Sequence, residues 1–260
     1  MSYENLLTEL KGNVEIITLN RPRVLNSLGS QLMAELDKAF TEAMADDKVR
    51  VIVITGAGRA FAAGKDIPEF IGKGGEGMSA ISRGDHQILA KIRKANKPVI
   101  AAINGLALGG GLELAMHCHI RVAADNIVVG QPENALGAIP GAGGTQLLPR
   151  MIGKGAALYY LLTGENIPAQ EAYRLGLVDK IVPPDQLMIT ALAIAKVISR
   201  KAPVAVRLIM EAVNRGLELT DLDECMKVEE ELQRKMGDTE DFNEAIKAFM
   251  EKRPVVFKGR

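Results

Sequence analysis

The stretch that constrains this chain most runs from Lys97 to Gln146, KPVIAAINGLALGGGLELAMHCHIRVAADNIVVGQPENALGAIPGAGGTQ. It reads as an apolar strand from Pro98 to Ile103, a glycine-rich turn, a short helix from about Gly110, a second strand, and another glycine-rich turn ending at Thr145 and Gln146. The run Gly109-Gly110-Gly111 lets the backbone take left-handed angles and come close to a ligand, while the helix behind it aims its first unpaired N–H groups at the same place. Such a sequence builds an anion hole from main chain. Glu113 falls in the first turn of that helix and Glu133 follows Pro132 in the second loop, so two carboxylates can converge on whatever the glycines hold. Two positioned carboxylates suit acid–base chemistry on one water.

The chain before and after this stretch follows an α/β rhythm. Val14 to Leu19 is an apolar, β-branched run broken by Asn20-Arg21-Pro22-Arg23, and Ser30 is placed to cap a helix reaching about Asp46, with Leu32, Met33, Leu36, Phe40 and Met44 on its buried face. A second strand, Val51 to Thr55, opens onto the small-residue loop from Gly56 to Asp66, where backbone again can approach a ligand; a short helix starts at Asp66. Ile71 to Ser79, IGKGGEGMS, reads as a mobile rim ahead of a helix carrying Ile81, Ile88, Leu89 and Ile92. Beyond Gln146 the pattern becomes helical: about Gly144 to Met151, Gly155 to Thr163 and Ala169 to Leu175, then one short strand, Val178 to Val182. From about Leu187 three or four helices, separated near Ala202-Pro203, Gly216 and Gly237-Asp238, form a separate layer. The alternation favours parallel pairing but does not distinguish a wound sheet from a spiral of repeated ββα turns.

Composition and failed motifs narrow the chemistry. Lys plus Arg and Asp plus Glu number 32 each, so no global field draws nucleic acid or an anionic membrane, and scarce aromatics with no Trp argue against base- or sugar-stacking platforms. Two cysteines, Cys118 and Cys225, make no disulfide framework, the start MSYENLLTELKG carries no secretory pattern, and no apolar run reaches membrane-spanning length; a cytoplasmic, reducing setting is the expectation. A dinucleotide fingerprint fails at Phe61 and Gln146, and its one full match, Gly72, Gly74 and Gly77, has no strand before it. The phosphate-loop pattern fails before Lys65, Lys73 and Lys154, where Arg59, Ile67 and Leu148 stand in place of glycine. Of the three histidines, His86 reads as exposed on a helix, and His117 and His119, flanking Cys118, read as packed or hydrogen-bonded rather than as metal ligands.

With these residues in view, the segments ITLNRPRVLNSL, AFAAGKDI, KPVIAAINGLALGGGLELAMHC, GQPENALGAIPGAGGTQLLPRMIGK and AFMEKRPVVF, in this order, resemble the enoyl-CoA hydratase/isomerase (crotonase) family over nearly the whole chain. The resemblance implies a spiral of ββα units over residues 1–195 holding the coenzyme A and active sites, and a C-terminal helical region, 196–260, that builds trimers, often paired into hexamers. It implies acyl-CoA thioester substrates, with no metal and no cofactor beyond the coenzyme A of the substrate. Carried onto matching positions, the oxyanion hole is the backbone N–H groups of Lys65 and Gly110, a preorganised pair worth about 3 to 4 kcal/mol per donor. Glu113 and Glu133 match the two acids of the family's hydratases, and the Gly141 N–H matches the group that helps hold water between them. Ala62 and Ala63 match small residues that admit adenine, and Phe249 and Lys252 match C-terminal residues that reach coenzyme A in an adjacent subunit.

The implied activity is reversible addition of water across the α,β double bond of a 2-enoyl-CoA. The rivals within the family are a ring or branched enoyl-CoA hydratase, a dehydratase and a double-bond isomerase; outside it stands a non-catalytic scaffold or RNA-binding relative, which both acids and the balanced charge oppose. Departures from the family pattern carry further expectations. Lys65 stands where alanine is common and Pro68 where a lysine often assists coenzyme A, so the Lys65 side chain is expected to turn toward a coenzyme A phosphate. His119 replaces an aspartate. Asn134 and Ala135 replace bulkier apolar residues beside the acyl pocket, which suggests a non-linear or polar acyl group.

Overall fold

The computed structural model describes residues 3–260. β1 (Leu6–Lys11) and β2 (Val14–Leu19) form an antiparallel hairpin that turns at Gly12, and α1 (Ser30–Ala45) follows. Three units of one kind come next: β3 (Val51–Gly56), β4 (Ala60–Ala62) and α2 (Gly74–Arg93); β5 (Val99–Ile103), β6 (Leu106–Leu108) and α3 (Gly110–His117); β7 (Ile120–Ala124), β8 (Val128–Gly130) and α4 (Gly144–Ile152). α5 (Lys154–Thr163), β9 (Ile167–Pro168), α6 (Ala169–Arg174) and β10 (Lys180–Val182) close the sheets. Four helices finish the chain: α7 (Leu187–Ser199), α8 (Pro203–Leu217), α9 (Leu222–Gly237) and α10 (Glu240–Met250).

The first strand of each unit joins a large sheet of order β1-β2-β3-β5-β7-β10, and the second joins a smaller sheet of order β4-β6-β8-β9. Pairing is parallel from β2 through β10 in the large sheet and from β4 through β8 in the small one. This is the spiral of ββα turns. Its central strands, VIVIT in β3 and VIAAI in β5, are apolar at successive positions because both faces are covered, as parallel sheets require. Leu32, Met33, Leu36 and Phe40 of α1 pack on one side with Leu19, Ile52 and Ile54, while Leu187, Ala191 and Ala195 of α7 pack on the other with Val51, Val53 and Ile100. Both cysteines are free thiols, and among the described residues no helix is long and apolar enough to cross a membrane.

Several local expectations change. The N-cap of α1 is Gly29, not Ser30; the Ser30 N–H and hydroxyl both donate to the Glu69 carboxylate, at 2.9 and 2.6 Å, so the cap comes from a distant turn. The stretch expected as a mobile rim is helical from Gly74 onward, after a turn at Gly72 with φ of +73°. The single strand expected between α3 and the second glycine turn is two, β7 and β8; β1, β4, β6 and β9 were not anticipated. They are short or, in β1, buried only at Leu6, and pairing rather than periodicity makes them strands.

Candidate active site

The first half of the site is a meeting of two loops. Gly109 adopts φ +48°, ψ −124° just before α3, and Gly111 packs so tightly on the end of β4 that a Cβ there would lie 1.9 Å from the Ala62 carbonyl oxygen. That contact brings the Gly64-Lys65 loop against the start of α3. Asn26, wholly buried and at φ +57°, holds the same loop from beneath: its amide nitrogen donates to the Ala57 and Ala60 carbonyls at 3.0 and 2.8 Å, and its oxygen accepts from the Arg21 N–H at 2.8 Å. Leu28 N–H donates to the Gly64 carbonyl at 2.8 Å, Ala63 N–H to Leu25 at 2.9 Å, and Arg21 pairs with Asp66 at 2.9 Å. Among the described residues the N–H groups of Lys65, Gly110 and Gly141 have no acceptor. Gly110, the first residue of α3, has none within its helix by construction.

The second half holds the carboxylates. Glu113 is 1 % exposed, and its Oε1 accepts from the N–H groups of Ala142 and Gly144, both at 2.7 Å, which leaves Oε2 for a ligand. Burial raises its pKa above the ordinary carboxylate value, against the two amide hydrogen bonds that pull it down. Glu133 starts a single 3-10 turn, Glu133–Leu136, after Pro132. Burial, with the Glu113 charge adding to it, pushes its pKa up to about 7. Gln131, 1 % exposed, has its amide beside this acid: oriented so that both of its ends are satisfied, its nitrogen donates to the two Glu133 oxygens at 2.9 and 3.1 Å. A Cβ on Gly109 would come within 2.9 Å of Glu133 Oε1, so glycine at that position is what lets the acid close over the anion hole.

Both carboxylates, Gly64, Lys65, Gly109, Gly110 and Gly141 line one cavity of about 580 Å³. Apolar side chains supply much of the rest of the wall, among them Phe70, Met78, Ile81, Leu108 and Ile139. The Lys65 side chain takes a partner of its own: Nζ lies 2.6 Å from Asp85 Oδ1 of α2 in an ion pair whose side chains are only 16 % and 9 % exposed. A solvent-facing lysine is thereby ruled out in this structure, and the charge expected to face a phosphate rests on Asp85. Ala63 also lines the cavity, whereas Ala62 is wholly buried beneath Gly111. Phe249, 80 % exposed at the end of α10, and Lys252 just beyond it lie outside the cavity of this chain. Asn134 and Ala135 do not line it either; the Asn134 amide donates instead to the Leu162 carbonyl of α5.

Two of the three histidines, His117 and His119, have structural partners. His117 Nδ1 lies 2.8 Å from the Glu113 carbonyl oxygen and its ring packs under Gly143, so it supports the glycine turn that grips Glu113. His119 Nδ1 accepts from the Val99 N–H at 3.0 Å, locking α3 to the start of β5. Burial lowers both to about 4, which keeps them neutral near pH 7. No group of three or more potential metal-ligating side chains occurs among the described residues.

Comparison with known proteins finds likeness over nearly the whole chain. Residues 9–260 match the family model described as enoyl-CoA hydratase/isomerase. The chain is 44 % identical to a short-chain-enoyl-CoA hydratase of Clostridium acetobutylicum over the full length of both, and 41 % identical to a crotonyl-CoA hydratase of Syntrophomonas wolfei over 99 % of each. The crystal structure of an enoyl-CoA hydratase from Bacillus anthracis superposes with a TM-score of 0.94 at 40 % identity, covering 99 % of this chain and all of the other. By sequence and by fold, this chain belongs to the enoyl-CoA hydratase/isomerase family.

Proposed function

We propose that this protein is an enoyl-CoA hydratase, a hydro-lyase that reversibly adds water across the α,β double bond of a 2-enoyl-CoA. The observation that carries the reading is the presence of two carboxylates of unlike environment in one cavity with the unpaired Lys65 and Gly110 N–H groups. The thioester oxygen accepts from those two donors, and as negative charge builds on it in the enolate-like transition state the fixed N–H groups stabilise it without reorganising. The positive end of α3 acts in the same direction.

Water sits between the acids, against the Gly141 N–H. Glu113, whose Oε1 is fixed by Ala142 and Gly144, takes a proton through its free oxygen as the water attacks the β-carbon. Glu133, pushed up to about 7, is the carboxyl that can carry a proton near neutrality and deliver it to the α-carbon. The retention of both acids favours hydration over double-bond isomerisation. The reaction uses no group beyond the coenzyme A of its substrate.

Adenine packs at Ala63, with Ala62 supporting the loop from below. Phe249 and Lys252 act on the coenzyme A of a neighbouring subunit in a homotrimer or a hexamer of two trimers, residues 1–195 forming the catalytic core and 196–260 the assembly region. Exposed Ile209, Val213, Leu217, Leu222 and Met226 on α8 and α9 support that assignment. The working site is the cytoplasm, with no nucleic-acid or membrane partner. The test follows loss of the enoyl-thioester absorbance with crotonyl-CoA: wild type consumes it and Glu113→Gln and Glu133→Gln are crippled, whereas variants as active as wild type refute the mechanism.

A further inference from the structure

The wall of the cavity holds one charged feature that the hydration chemistry leaves unused, the Lys65–Asp85 pair. The Lys65 stem crosses the first residue of α3, so that a Cβ on Gly110 would come within 3.1 Å of Lys65 Cδ. Its ammonium then reaches α2, where Asp85 shares a face with Met78, Ile81 and Ser82. Gly110 is a proposed oxyanion donor, Glu113 stands one turn further along the same helix, and the pair lines the same cavity as both. The pair is not saturated. Among the described residues Nζ bonds only Asp85 Oδ1, and Asp85 accepts from nothing else, which leaves ammonium N–H groups and one carboxylate oxygen to the cavity.

We propose that the Lys65–Asp85 pair sets acyl specificity, selecting short 2-enoyl thioesters and in particular those with a hydroxyl on the carbon next to the double bond; this rests on the hydratase reading above. A hydroxyl matches both open valences at once, accepting from the ammonium and donating to the carboxylate. A second carboxylate on the acyl group would be repelled by Asp85. An alkyl extension satisfies neither valence and displaces the water that otherwise solvates them, which leaves buried polar groups unpaired. A four-carbon acyl group is short enough to leave that water in place.

The test compares kcat/KM for but-2-enoyl-CoA, trans-4-hydroxybut-2-enoyl-CoA and hex-2-enoyl-CoA in wild type and in the double variant Lys65→Met/Asp85→Leu. Removing both charges together avoids stranding one of them in the wall, and methionine at 65 keeps the backbone N–H. Wild type is expected to use the hydroxylated ester at least as well as but-2-enoyl-CoA, and hex-2-enoyl-CoA about tenfold less well, about 1.4 kcal/mol. In the double variant hex-2-enoyl-CoA rises to parity and the hydroxylated ester falls about tenfold. Ratios unchanged within about twofold would overturn the proposal, as would a wild type that prefers hex-2-enoyl-CoA, an order that decides the matter even if the variant does not fold. Failure of wild type to hydrate any of the three esters would sink the hydratase reading itself, a result distinct from hydration with the wrong order.

Discussion

Glu113 is carried by a helix and gripped by main chain, whereas Glu133 rides on one turn of 3-10 helix and is reached by one side chain, the Gln131 amide. The two carboxylates face one cavity, so what separates their chemistry is how each is held. Two N–H donors on one oxygen favour the ionised form and fix its direction, as a base aimed at water requires. At Glu133 burial outweighs the hydrogen bonds that favour the carboxylate and so favours the protonated form, as the proposed acid requires, and the Glu113 charge nearby pushes the same way. The Glu113 charge discourages ionisation of Glu133, which supports the proposed division into base and acid.

Mutations that attack either side of this contrast should rank in order. Glu113→Gln removes the proposed base and places an amide against the Ala142 and Gly144 N–H groups; kcat for crotonyl-CoA is expected to fall about 10⁴-fold. Glu133→Gln keeps the shape but removes the deliverable proton, with a loss of about 10³-fold. Gly111→Ala drives a methyl into the Ala62 carbonyl and prises the Lys65 loop from α3; with one oxyanion donor misplaced, kcat falls about 10²-fold while KM for the thioester changes less. Gln131→Leu takes the amide donor from Glu133, which should cost about tenfold and move the alkaline limb of the rate profile upward, since the carboxylate loses a hydrogen bond that favours it.

The smallest effect is on stability. Glu133 has a folded pKa of about 7, above its ordinary value of 4.5, so the stability it contributes is complete below the unfolded value and is lost as pH rises through about 7. Glu133→Gln, neutral at every pH, should therefore raise the melting temperature relative to wild type above pH 7 and leave the difference small at pH 4, measured by calorimetry at both.

How much of this could be read from the chain follows from range. The glycine turns, the helix at Gly110 and the strands β2, β3 and β5 announce themselves locally, because positive φ calls for glycine and doubly covered strands call for unbroken apolar runs. Glu113 and Glu133 were visible as acids beside those turns. What was not legible depends on residues distant in sequence. Asn26 sits in a segment that marks the family, yet its work is done on Ala57 and Ala60, and nothing in ITLNRPRVLNSL names those acceptors. Replacing it with alanine leaves the Ala57 carbonyl unpaired and the Ala60 carbonyl with only the 3.3 Å bond from the Asn104 amide, at a cost of about 2 kcal/mol. Gln131 lies in GQPENALGAIPGAGGTQLLPRMIGK, and an amide two residues before an acid is the one local signal that points to it. Asp85 carried no signal at all: it is a polar residue on an amphipathic helix, and only the packing of α2 over Lys65 gives it a partner. Asn134 misled for the opposite reason, since adjacency to Glu133 in sequence puts it on the far side of a tight turn.

The division of labour between the two acids is tested most directly by the pH dependence of kcat/KM for crotonyl-CoA hydration, which reports the free enzyme's essential groups. A descending limb with its midpoint near pH 7, absent from the residual activity of Glu133→Gln, is the predicted result. A profile flat from about pH 6 to 9, or a limb that persists unchanged in Glu133→Gln, would contradict it.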